Sequence, residues 1–257
     1  MDDIQSRQLL PYVLDILQMM VESGAEIYRV EESAERMLTA YGIKRVDVYA
    51  TTSNIILSSE DSDRTIKTHT RRIKQISNDL EKIHRLNALV RKITAEKPSL
   101  EEISCEVEKI KDTPCYSSLI NILFYGFIAG AFYLFFGGRS IIEFLFSTAI
   151  GFVTGVLSKI LDERKANKIL VKFFCSFVAS FICYLLYKAK VVYNVDYIII
   201  GNIMTLIPGI GLTNALRDLF TGDSISGVLR LIEAALLAVA IACGYIITTI
   251  LFGGAVI

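Results

Sequence analysis

GNIMTLIPGIGLTNALRDLFTGDSISGVLRLIE, residues Gly201–Glu233, is the stretch on which the fold turns. It opens as an apolar segment and breaks at Pro208-Gly209-Ile210-Gly211. A short polar run follows with Thr213, Asn214, Arg217, Asp218 and Asp223, and a second apolar helix opens on Arg230 and Glu233. From Tyr197 to Pro208 a helix reaches roughly 18 Å at 1.5 Å per residue, well short of a hydrocarbon core of about 30 Å. The chain must therefore continue through the break at membrane depth, or re-enter. Two readings stand. In one, protein or a water-filled cavity satisfies the freed backbone, and the broken helix ends face a solute. In the other, a proline-kinked helix ends at the interface and TNALRD is an ordinary loop.

The rest of the chain divides by charge. Of 27 basic and 27 acidic residues, 17 and 20 lie at or before Asp112. With 53% hydrophobic residues and a mean hydropathy of +0.47, the charge-poor remainder reads as a membrane domain behind a soluble one. Overall neutrality, without a Lys/Arg-rich block or aromatic-basic interleaving, gives no case for nucleic-acid binding. Five cysteines without a CxxC pair and only two histidines, His69 and His84, argue against a disulfide framework or a zinc site. The N-terminus lacks a basic region followed by an apolar core, so no cleaved signal peptide is expected.

Residues 1–113 read as an α+β domain. Apolar stripes predict helices over 4–22 and 25–42, joined at Ser23-Gly24. Alternation over Lys44–Thr51, Ser53–Ser59 and Arg64–Ile73 predicts three strands, the last two separated by the acidic turn Glu60-Asp61-Ser62-Asp63. Helical period returns over Asn78–Glu96 and after Pro98-Ser99. Residues 114–257 carry five expected spans, near 117–136, 140–160, 169–187, 196–212 and 225–252. Lys159, Arg164, Lys165, Lys168 and Lys172 lie between the second and third spans, against Arg139, Lys188 and Lys190 opposite. The positive-inside bias predicts a cytoplasmic N-terminal domain and an external C-terminus. The expected fold is an α-helical polytopic membrane protein with a cytoplasmic α+β domain.

Several polar residues bear on chemistry. Asn202 and Thr205 share a helix face with Pro208, and either line a path or bond a neighbouring helix. Arg230 and Glu233, three apart, are expected to meet as a pair, marking a solute route or an interfacial salt bridge. Gly222-Asp223-Ser224 reads as a turn with an N-cap, and Gly227 as a close-packing site. Glu143 reads as interfacial. Gly126, Gly130, Gly151 and Gly155 form two small-xxx-small patterns for tight helix packing. By spacing alone, Glu22, Glu26, Arg29, Glu31 and Glu32 form a solvated, salt-bridged surface. No nucleophile–base pair, phosphate loop or metal-ligand cluster is present, so neither catalysis nor a cofactor is expected.

ESGAEIYRVEES (Glu22–Ser33) together with IPGIGLTNALRDLFTGDSISGVLRLIEA (Ile207–Ala234) resembles the bacterial threonine/serine exporter (ThrE-like) family. The resemblance covers nearly the whole chain. It implies a secondary exporter of small hydrophilic metabolites, threonine and serine in the founding members and succinate or related dicarboxylates in some split ones. The chain is similar to the long subunit of a split pair, which implies a short multispanning membrane subunit as partner; a homo-oligomer is compatible as well. The family motif puts weight on Pro208, Gly209, Asn214, Arg217, Asp218, Gly222, Asp223, Gly227, Arg230 and Glu233, and in the N-terminal domain on Glu22, Gly24, Glu26, Arg29 and Glu32; the break at Pro208–Gly211 would form the substrate site, its exposed backbone N–H and C=O groups binding carboxylate and ammonium. Arg217 or Arg230 would assist a substrate carboxylate, and Asp218, Asp223 or Glu233 would carry a coupling proton. The rival expectations are a membrane-anchored sensor with a cytoplasmic ligand-binding domain, a membrane-bound hydrolase and a small-solute channel.

Overall fold

The computed structural model describes residues 3–43, 45–60, 65–113 and 117–252, and these form two compact units. The first is Met1–Pro114 with Ile210–Ile232; the second is Cys115–Gly209 with Glu233–Ile257. The sequence reading had placed 210–232 wholly with the membrane part.

In the first unit, α1 (Asp3–Glu22) and α2 (Ile27–Ala40) form the expected hairpin. Three antiparallel strands follow, β1 (Val46–Ala50), β2 (Asn54–Glu60) and β3 (Ile66–Arg72), in the order β1-β2-β3. The acidic turn at 61–63 lies outside the described residues. Alternation puts Ile55 and Leu57 of β2 into the core, where they meet α1. Helix α3 (Leu80–Glu96) stops at Lys97, held at φ +50, and Pro98 cannot extend it. Ser99 then caps α4 (Leu100–Lys111) by accepting the Glu102 N–H. Leu9, Val13, Ile16, Leu17 and Met20 of α1 are fully or almost fully buried among α2, α3 and α4. That stripe centres the core on α1.

The second unit contains α5 (Ser118–Phe135), α6 (Ile141–Glu163), α7 (Lys168–Lys188), α8 (Val195–Met204) and the later part of α10 (Ser224–Leu251). Helices α5, α6, α7 and α10 are each long and apolar enough to cross a membrane. Helix α8 reaches span length only when taken with α9 (Gly209–Thr221), giving four spans or up to five. The chain is thus a multi-pass membrane protein in composition and helix length. The interruption covers Thr205–Pro208, slightly earlier than expected, and Gly209 and Gly211 are already helical. TNALRD, one reading's loop, lies within α9.

Small residues set the spacing of this bundle. A Cβ at Gly151 would lie 2.7 Å from the Tyr125 carbonyl oxygen and 2.8 Å from the Gly126 Cα. One at Gly201 of α8 would lie 2.8 Å from the Ala129 oxygen of α5. Backbones this close leave no room for a methyl group, and van der Waals contact is a main source of helix association in lipid. Hydroxyls add interhelical bonds: Ser147 donates to the Ala129 oxygen at 3.1 Å, and Ser176 of α7 to the Ile241 oxygen of α10 at 2.7 Å.

Gly151→Ala should force α5 and α6 apart and destabilise the chain by about 1–3 kcal/mol, the usual range for overpacking. Gly209→Ala, where a Cβ has nothing within 4 Å, should be neutral or better. Thermal unfolding of the two variants in detergent checks the contrast.

Candidate functional site

The two motif stretches, some 190 residues apart in sequence, meet in the first unit. Between α1 and α2 the chain turns through Ser23–Glu26. Gly24 sits at φ +91, and a Cβ there would lie 2.7 Å from the Ser77 carbonyl oxygen, so the turn requires glycine. Side chains from α9 and the start of α10 hold this turn. Asn214 Nδ2 donates to the Gly24 oxygen at 3.0 Å, and Arg230 Nη2 donates to the Ala25 oxygen at 2.9 Å. The Ile27 N–H donates to Asp218 Oδ1 at 3.4 Å, and Arg217 pairs with Glu26.

This arrangement answers a local deficit. Ile27 opens α2, and its N–H has no partner within the helix. Glu26 stands at the N-cap, yet its side chain makes no capping bond. Asp218 supplies the missing acceptor, and its negative charge faces the positive end of the helix dipole. The Asp218 residue is 0% exposed and Arg230 7%. Asp218 Oδ2 and Arg230 Nε approach to 3.3 Å as an ion pair, but neither atom has a hydrogen-bond partner among the described residues. Charge attraction without good hydrogen-bond alignment therefore holds that contact.

Tight packing brings α9 and α10 together. Gly222 turns the chain at φ +100, and the Asp223 carbonyl accepts the Gly227 N–H at 2.9 Å, which places Asp223 at the N-cap of α10. The Thr221 hydroxyl donates to Asp223 Oδ2 at 3.5 Å. A Cβ on Gly227 would lie 2.9 Å from the Ala215 oxygen. The close-packing expectation for this glycine matches that geometry.

Other expected residues lie elsewhere or pair differently. Arg230 does not pair with Glu233; Glu233 is exposed and stands 3.9 Å from Lys168 instead. The buried Asp218 outcompetes it as a partner, since attraction is stronger away from water. Asn202 is 1% exposed and donates to the oxygens of Ser147 (3.3 Å) and Ile198 (3.0 Å), while Thr205 donates to the Asn202 oxygen at 2.7 Å. Asn202 thus bonds a neighbouring helix. Pro208 is half-buried and Gly209 exposed, on the second unit; Gly211 opens the first turn of α9.

The acidic hairpin is only partly the solvated surface its spacing suggests. Glu32 pairs with Arg36 at 2.6 Å in the open, and Glu22 accepts from Gln18 at 2.8 Å. The Glu26 side chain is largely covered, lying 3.1 Å from Arg29 as well as meeting Arg217. Arg29 also donates to the Tyr28 hydroxyl at 3.0 Å; that bond first, then Glu26, raises its pKa. Glu31 faces β1 and accepts the Ala50 N–H at 2.8 Å. Burial raises its pKa, with Asp223 and Glu35 adding repulsion, against the lowering effect of the Ala50 bond.

Glu143 has partners that its spacing does not show. It is 3% exposed, at the start of α6, and accepts from the Tyr133 hydroxyl (2.9 Å) and the N–H groups of Tyr193 (2.9 Å) and Asn194 (3.0 Å). The signal was present as Ser140-x-x-Glu143, a capping-box pattern, and Ser140 does accept the Glu143 N–H.

The family model ThrE, described as "Putative threonine/serine exporter", matches residues 11–252. No curated protein and no solved structure matches the chain.

Asp218→Asn leaves Arg230 buried without a counter-charge, and should cost about 3–5 kcal/mol, as breaking one side of a buried pair does. Asp218→Leu combined with Arg230→Met should cost less than the two singles together. Double-mutant-cycle denaturation measures this. Glu31 gives a pH test. Because its folded pKa is raised, its contribution is fully present below its ordinary 4.5 and is lost as pH rises through the folded value. Glu31→Gln keeps an acceptor for Ala50 and should flatten that decline in a stability–pH profile.

Proposed function

We propose that this chain, which belongs to the threonine/serine exporter family, is a membrane exporter of threonine- or serine-type amino acids. The observation that carries the reading is the meeting of its two family stretches in one junction. The turn Ser23–Glu26 is gripped by Asn214, Arg217, Asp218 and Arg230, so the N-terminal domain is mechanically tied to the start of α10. In this reading Arg230 and Asp218 act as a coupling element, because their charges are already matched to each other. The N-terminal domain is cytoplasmic, in line with the basic residues between α6 and α7. A shorter multispanning subunit completes the transporter, and a small dicarboxylate such as succinate is the second substrate class.

A sensor role for the N-terminal domain is compatible with the same junction, since a ligand there would act on α10 through the turn. It then modulates export and does not replace it.

Cells loaded with a threonine- or serine-containing dipeptide should show saturable efflux of the free amino acid that depends on this chain and its partner. Arg217→Gln removes a partly exposed pair worth about 1 kcal/mol or less of stability. It should lower efflux severalfold at unchanged abundance. Unaltered efflux of threonine, serine and succinate on deleting the chain overturns the proposal.

A further inference from the structure

Helix α8 ends at Met204, only ten residues after it begins, and its early end has a consequence inside the second unit. Near Gly201 it lies against α5 at backbone contact distance, the position of a Cβ being 2.9 Å from the Tyr133 nitrogen. Beyond Thr205 it no longer accompanies α5 and α6. A cavity of about 610 Å³ opens there between the first half of α5, the last turns of α6 and the end of α8. That volume is within the range of small-molecule sites.

Its walls are of two kinds. Tyr125, Ile128 and Phe132 of α5 form an apolar side. Asn121, Ser158, Lys159, Asp162 and Thr205 supply polar groups. Lys159 and Asp162 are three residues apart on α6, so both signs of charge project from one helix face. Ser158, which is buried, donates to Asp162 Oδ2 at 3.3 Å and steadies that carboxylate. Lys159 reaches Glu163 at 3.6 Å, with side-chain exposures of 41% and 66%. So open a pair contributes little and exchanges readily for another anion. The Thr205 hydroxyl donates its proton to the Asn202 oxygen at 2.7 Å, so its own oxygen remains able to accept.

We infer that this cavity binds the exported solute as a zwitterionic hydroxy-amino acid. The solute ammonium sits on Asp162 and its carboxylate on Lys159, displacing Glu163. The solute hydroxyl meets Asn121 or Thr205, and a methyl group, where present, rests on the apolar side. Lys159 and Asp162 stand in the last turns of α6, at the end of its apolar stretch, and the two signs of charge lining one cavity match the two ends of an amino acid. The inference rests on the exporter reading and adds the site, which lies apart from the Asp218–Arg230 junction.

The test is binding of radiolabelled threonine to the full-length chain purified together with its shorter subunit, alongside the efflux assay. Wild type should bind threonine saturably, and threonine amide more weakly. Asp162→Asn and Lys159→Gln should each weaken threonine binding roughly tenfold to a hundredfold, the loss expected on removing one charge-assisted hydrogen bond. Lys159→Gln should in addition bind threonine and its amide alike. Ile128→Trp fills the cavity without touching a charge and should block binding while the thermal midpoint holds. If efflux depends on the chain but these three variants bind threonine as wild type does, or wild type binds none, the cavity is not the site and the exporter reading survives. If efflux does not depend on the chain, both fall.

Discussion

The join between the Ser23–Glu26 turn and the α9–α10 stretch depends on two buried, opposite charges. Taking a carboxylate and a guanidinium out of water costs several kcal/mol per ion. Asp218 and Arg230 recover that cost by mutual attraction and by bonds to the backbone of the Ser23–Glu26 turn. The two requirements interlock. Helix α2 lacks an acceptor for its first N–H, and α9 carries a carboxylate that needs a donor. Each defect is the other's remedy. The hydrophobic core of the first unit is supplied by residues between Leu9 and Ile110; the charge pair is what joins 210–232 to it.

The same pairing accounts for the broken helix. With Asp218, Asn214 and Arg217 committed to the turn, α9 has to present that face to the N-terminal domain. Its opposite side carries exposed Leu212, Leu216 and Phe220, an amphipathic arrangement at helical spacing. Helix α8 has no such division; apart from Asp196 in its first turn and the buried Asn202 it is apolar, and it packs into the bundle through Gly201 and Asn202. One continuous helix would have to serve both surroundings. The interruption at Thr205–Pro208 separates them, because Pro208 donates no backbone hydrogen bond and cannot extend the preceding helix.

Much of this was legible in the sequence. Period-two runs located three strands to within two residues, and uncharged stretches located α5, α6 and α7, because burial and lipid both impose simple spacing rules. The glycine patterns marked tight helix packing, and the structure puts that packing between α5 and α6. What spacing could not supply was partnership across distance. Arg230 and Glu233 are near neighbours in sequence, but Arg230 turns towards a carboxylate twelve residues back and towards a carbonyl more than 200 residues away. Glu26 and Glu31 read as surface residues, since nothing local shows that Arg217 and the Ala50 N–H will cover them. Glu143, at the start of α6, shows the opposite case. Its local pattern marked a capping box, whereas its burial comes from a distant loop at Tyr193–Asn194.

The junction is reciprocal. Coupling free energy acts equally in both directions. Any event that loosens the Ser23–Glu26 turn removes partners from Arg230, and any shift of Arg230 removes support from the turn. Helix α10 carries Arg230 in its second turn and then runs unbroken to Leu251, bonding α7 through Ser176 and Thr248 on the way. The poor alignment between Asp218 Oδ2 and Arg230 Nε leaves that contact short of its best geometry. A contact held by charge without optimal hydrogen bonding is a softer restraint than a fully hydrogen-bonded pair.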